Sequence, residues 1–291
     1  MSVDPWAAAA VLVTALTYAA TLGAAGASGF LAYSWGLLAP EDRRAIRRWA
    51  ALLGVAGCVI GALRLGVAAA WMDGSGAGLT DPSLWRLAAQ SGEGAALGLR
   101  GVALVLLSAA LLRDRRPGAL ALLGAAGAAG SFALTGHVHR TASALPAGLL
   151  WVHLLGVACW VGALVPLLLI ARRGEPARIA PPARRFGVLA VPVVGALIAA
   201  GVLVLASLLE SPAELWSSDY GRLVLLKLGA VAGLLACAAL NKLSLTPRLC
   251  AGDARAVRAL RISIGLEIVL ALGILVLTAA FTTLTGPPSL E

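Results

Sequence analysis

Residues 188–209 read VLAVPVVGALIAAGVLVLASLL, twenty-two consecutive residues without a charged side chain. A helix needs about 20 such residues to cross the roughly 30 Å of hydrocarbon in a bilayer. The apolar residues run continuously and do not alternate with polar ones, which excludes a strand of a transmembrane β-barrel. Residues 223–240, LVLLKLGAVAGLLACAAL, repeat the pattern with a single lysine. Outward from these two runs, eight apolar segments lie between polar breaks, at about 6–38, 49–72, 94–112, 117–136, 146–171, 185–209, 221–243 and 257–285. The expected fold is all-α: a polytopic membrane bundle of eight transmembrane helices, forming one domain over residues 1–291 and surrounded by lipid.

Composition agrees with that reading. Hydrophobic residues make up 60% of the chain and charged residues 13%, whereas soluble domains carry about 25% charged residues. A soluble enzyme, a disordered chain and a disulfide-stapled secreted module are all excluded. The first segment is too long for a signal-peptide core and has no basic leader, so it is expected to be retained. Small residues recur at helical spacing, as in Gly23, Gly26 and Gly29 or Gly54, Gly57 and Gly61. In lipid such stripes let backbones approach closely, and dispersion then holds helices together.

The net charge of +9 is distributed by position. The breaks after segments one, three, five and seven carry Arg43, Arg44, Arg47 and Arg48; Arg113, Arg115 and Arg116; Arg172, Arg173, Arg178, Arg184 and Arg185; and Lys242, Arg248, Arg255, Arg258 and Arg261. These are 17 of the 23 Lys and Arg residues. Cytoplasmic loops accumulate such residues, so this side is expected inside and both termini outside. Trp6, Trp71, Trp85, Trp151 and Trp216 fall at outer boundaries and Trp35 and Trp49 at inner ones, as an interfacial belt requires. No basic stripe is interleaved with aromatics, so nucleic acid is not an expected partner. In the longest outer loop, Asp81-Pro82-Ser83 reads as a helix start, with 84–89 lying on the surface.

Chemistry must sit on the few polar groups in or beside the bilayer. The three histidines, His137, His139 and His153, fall within 17 consecutive residues. Segment four runs outward and segment five inward, so all three imidazoles belong to the outer half of one helical hairpin. Imidazole suits copper, zinc, iron and nickel, with copper the tightest of the divalent series. Met72 and Asp73 end segment two on the same side; a thioether favours Cu(I) and a carboxylate Cu(II). The four cysteines are widely separated and read as small apolar fillers. Arg64, Arg100, Lys227 and Glu267 interrupt apolar runs at about 2.5–3.5 kcal/mol each on insertion scales, and each should face the bundle or snorkel. Glu267 is too deep to snorkel and needs a proton or a partner, for which Arg64 is the candidate. Asn241, near the inner end of segment seven, reads as polar glue between helices ahead of an exit-side ligand.

These residues resemble the copper resistance protein D family (CopD/PcoD). The resemblance rests on Gly136-His137, on His153 followed by Trp160-Val161-Gly162, and on Arg185-Phe186. It continues through Ser218-Asp219-Tyr220-Gly221-Arg222-Leu223-Val224-Leu225-Leu226-Lys227, Asn241, Glu267 and Pro287-Pro288, while the first four segments share its layout, including an arginine in the third. It implies an inner-membrane protein that handles copper at the periplasmic face, often beside a periplasmic copper carrier of the CopC type. His137 and His153 are then the copper ligands, with Trp160 packed behind them. No fused carrier domain is expected, and the sequence carries only two methionines.

The competing expectations are a membrane electron carrier with one b-type haem held by the same histidines, and a structural membrane subunit without metal. No nucleophile–base pair, phosphate loop or carboxylate pair occurs in a water-accessible stretch, so no enzymatic activity is expected.

Overall fold

The computed structural model describes residues 4–113, 115–135, 145–209, 211 and 213–284. Those residues are almost entirely helical, with no strand among them. Seven helices among the described residues are long and apolar enough to cross a bilayer. Within or beside them lie α1 (Pro5–Ser34), α2 (Pro40–Asp73), α4 (Gly92–Leu111), α6 (Leu145–Ala171), α7 (Pro176–Leu208), α9 (Asp219–Leu240) and α11 (Ala254–Leu284). A shorter apolar helix, α5 (Ala119–Gly130), runs on into a 3₁₀ turn at Ser131–Leu134. The remaining helices are short: α3 (Pro82–Gln90), α8 (Glu214–Ser217) and α10 (Thr246–Cys250), the last joined to α9 by a π turn, Asn241–Leu245.

Helix starts follow local chemistry. Proline occupies the first turn of α1, α2, α3 and α7, where its missing N–H would be unpaired anyway. Asp81 caps α3 by accepting the Ser83 backbone N–H at 2.8 Å. The Ser83 hydroxyl and N–H together hold the Asp81 carboxyl below the usual carboxylate range. Gly74 ends α2 with φ 74°, a left-handed conformation that glycine enters without a Cβ clash. The polar breaks are less abrupt than the hydropathy pattern predicts, since α2 begins at Pro40 instead of near 49. Arginine is a good helix former, and the carboxylates of Glu41 and Asp42 suit the positive end of the helix dipole. Charge therefore moves the chain out of hydrocarbon without ending the helix.

α1 lies at the centre, packed against α2, α5, α6 and α11. Its closest neighbour is α6: a Cβ added at Gly26 would lie 1.6 Å from the Ala158 carbonyl oxygen. At the reciprocal position a Cβ added to Gly162 would likewise overlap the Gly26 backbone. Of the two glycine stripes, Gly23, Gly26, Gly54 and Gly57 make tight interhelical contacts, while Gly29 faces open space.

The four basic breaks meet at one pole. Arg47 donates to the Arg113 carbonyl at 3.2 Å and Arg116 to the Ala32 carbonyl at 3.0 Å. Arg178 Nε donates to Asp42 at 2.7 Å, and its Nη2 to Glu41 at 2.5 Å, tying the start of α7 to the start of α2. Lys242 donates to the Gly187 carbonyl at 2.9 Å. Asp42 is buried, so its paired arginine offsets a desolvation cost that an exposed pair would not face.

Candidate metal centre

His153 sits about 12 Å along α6 from Leu145, counted at 1.5 Å per residue. Its Nδ1 is 3.0 Å from the Leu197 carbonyl oxygen of α7. A carbonyl only accepts, so Nδ1 carries the proton and donates, leaving the Nε2 lone pair for another partner. Metal-bound histidines are usually oriented in this way, with one ring nitrogen spent on a carbonyl and the other free to ligate. The ring can come this close because position 201 is glycine: a Cβ there would lie 3.1 Å from both Cε1 and Nδ1 of His153. Lys227 of α9 stands within electrostatic reach of the imidazole, and its ammonium lies 5.3 Å from the Phe281 ring centroid on α11. His137 and His139 lie outside the described residues, and among the described residues no group of three His, Cys, Asp or Glu could hold a metal ion. Met72 is exposed at the last turn of α2, and the Asp73 beside it accepts the Ser75 hydroxyl at 2.5 Å. All four cysteines are free thiols.

Trp160, two turns along α6 from His153, is buried. Its indole N–H donates to Glu267 Oε2 at 3.4 Å, so it is a polar partner as well as packing. The Asn241 amide donates to the other oxygen, Oε1. The expected pairing of Arg64 with Glu267 is therefore corrected. Arg64 forms its ion pair with Glu93 at the start of α4, because α2 and α4 are neighbours and Glu267 opens onto α6 and α9 instead. Asn241 takes the interhelical role expected of it. Arg100 does not snorkel. It is buried, its Nε donates to the Ser131 hydroxyl at 2.8 Å, and its guanidinium carbon stands 3.8 Å from the Phe132 ring centroid. The Ser131 hydroxyl in turn donates to the Ala128 carbonyl at 2.7 Å, and the 3₁₀ turn after α5 is what brings both partners to Arg100.

Two contributors to the site were not anticipated from the sequence, the Leu197 carbonyl and Gly201. A backbone acceptor leaves no trace in side-chain chemistry. Gly201 did leave one, as one of three glycines inside α7 with Gly187 and Gly195, but nothing in the sequence sets it apart from the other two.

No curated protein and no solved structure matches the chain. Two family models do. The model described as copper resistance protein D-like, N-terminal domain, matches residues 3–145, and the model described as copper resistance protein D matches residues 180–281. The first range runs through α1 to α5 and the second from α7 into α11, with α6 and His153 packed between them. Two domain models of one family in sequence order, on a multi-helix apolar bundle, lead to one assignment: the chain belongs to the copper resistance protein D family, multi-pass membrane proteins of copper resistance.

Proposed function

We infer that the protein accepts copper at the pole opposite the basic belt and transfers or imports it across the membrane. His153 is the ligand with a defined second contact, and His137 and His139 complete the set. By the positive-inside rule the basic pole is cytoplasmic, which puts the copper-accepting pole and both termini in the periplasm after eight crossings, the short 119–134 stretch being the fourth. A periplasmic copper carrier of the CopC type is the natural donor at that pole.

The observation that carries this reading is the hydrogen bond from His153 Nδ1 to the Leu197 carbonyl, which orients the ring and leaves Nε2 for a metal. The nearby Lys227 ammonium opposes any cation there. Copper in the singly charged Cu(I) state meets half the repulsion of Cu(II).

Purified protein is expected to bind about one copper per chain, and His153→Ala to lose it. Unchanged stoichiometry and affinity in that variant would end the proposal. An absorption spectrum supplies the contrasting outcome: a Soret band would assign the same histidines to a b-type haem.

A further inference from the structure

Glu267 is 3% exposed and sits about 20 Å along α11 from Ala254, close to the middle of that helix. Among the described residues no lysine or arginine pairs with it. Arg64 is engaged by Glu93, Lys242 by the Gly187 carbonyl and Arg185 by the Tyr33 ring. On its own helix Arg258 and Arg261 are exposed. α1 contains no charged residue, and α6 presents Trp160. On α9 the titratable neighbour is the Cys237 thiol. An ionised carboxylate held in a bundle by two neutral donors lacks the countercharge that normally offsets desolvation.

The protonated form is provided for as well. An acid O–H needs an acceptor, and Trp160 can only donate. Asn241 carries both kinds of group on one carboxamide. Its Nδ2 donates to Glu267, while its Oδ1 is buried and has no hydrogen-bond partner. Turning the amide end for end presents Oδ1 to the acid proton, so the same three side chains satisfy the carboxyl with the proton on or off. Asn241 also opens the π turn Asn241–Leu245, an irregularity that in other helices concentrates at functional sites.

We propose that Glu267 is a proton-exchange site, with Asn241 and Trp160 as its positioning residues, and that it releases its proton to bulk water when copper occupies the His153 side of the bundle. The coupling half rests on the copper reading above; the proton site itself does not. His153 and Trp160 lie seven residues apart on α6, about 10 Å along its axis. A cation at the first position favours the carboxylate at the second, and by linkage the ionised carboxylate favours the cation equally. Across that separation in a partly screened interior the effect is roughly tenfold in either equilibrium.

The test uses the full-length protein in lipid nanodiscs. Infrared difference spectra across a pH titration should contain the C=O stretch of a protonated carboxyl. Glu267→Gln should abolish that band, and Asn241→Ala, which keeps the carboxyl, should shift its pH midpoint. A band unaltered in both variants overturns the proton site. Copper is then added in weakly buffered solution with a pH indicator. The wild type should release more protons than Glu267→Gln at equal copper loading, and equal release overturns the coupling. If the wild type binds no copper, the copper reading fails by itself and the infrared titration still decides the proton site.

Discussion

α6 and α7 are adjacent in sequence, similar in length and nearly equally apolar, yet 56% of the most apolar stretch of the first is buried and 6% of that of the second. In water the more hydrophobic helix would be the more buried. In lipid the solvent is as apolar as the side chains, and hydropathy no longer sorts inside from outside. α6 is central because Gly162 meets Gly26 of α1 backbone to backbone. α7 lies outside, with Val188, Val191, Ile198 and Val202 exposed. It is fastened by Arg178 at its start and by the His153–Leu197 contact farther along. The centre holds the bundle together, and the candidate site lies where a loosely buried helix leans on it.

The hardest way to break this contrast is to give both helix types the same substitution. Gly26→Leu pushes a side chain into the Ala158 carbonyl and should cost more than about 3 kcal/mol, seen as loss of a monodisperse species or a collapse of the thermal midpoint. Gly195→Leu on α7, where a Cβ meets nothing within 4 Å, should leave the midpoint nearly unchanged. Equal tolerance of the two would dissolve the comparison.

A smaller effect sharpens it. Gly201→Leu drives atoms into the His153 ring from the α7 side and should lower copper affinity about tenfold by breaking the bond that orients the imidazole, while the thermal midpoint moves little. A parallel loss of stability would mean that α7 supports the fold as much as α6 does. Smallest is Lys227→Met on α9, the other sparsely buried long helix. Removing an ammonium within reach of His153 should tighten copper binding by roughly threefold, measured by competition with a chelator of known affinity. Weaker binding would mean that Lys227 supports the site through its Phe281 contact instead of opposing the cation.

The basic breaks were readable because charge at a membrane boundary is a one-dimensional signal, and Arg47, Arg116, Arg178 and Lys242 do meet at one pole. The surface helix after Asp81 was readable because its cap is local. Arg64 and Glu267 were matched as the buried charges needing partners, but depth along a helix carries no information about which neighbour that face meets. Glu93, at the start of a helix, gave no hint of an intramembrane role, yet it is the residue that Arg64 finds.

By itself the sequence determined that this chain is a membrane helix bundle, which loops share a side, and that copper resistance protein D is its family. Each follows from composition, charge order or short motifs, all of which survive without coordinates. Only the tertiary structure decided that His153 leans on the Leu197 carbonyl, that Glu267 answers to Trp160 and Asn241, and that Arg100 is enclosed by Ser131 and Phe132. Those pairings depend on the rotation of each helix about its own axis. In lipid that rotation is set by where small residues permit close approach, and hydropathy along the chain does not record it.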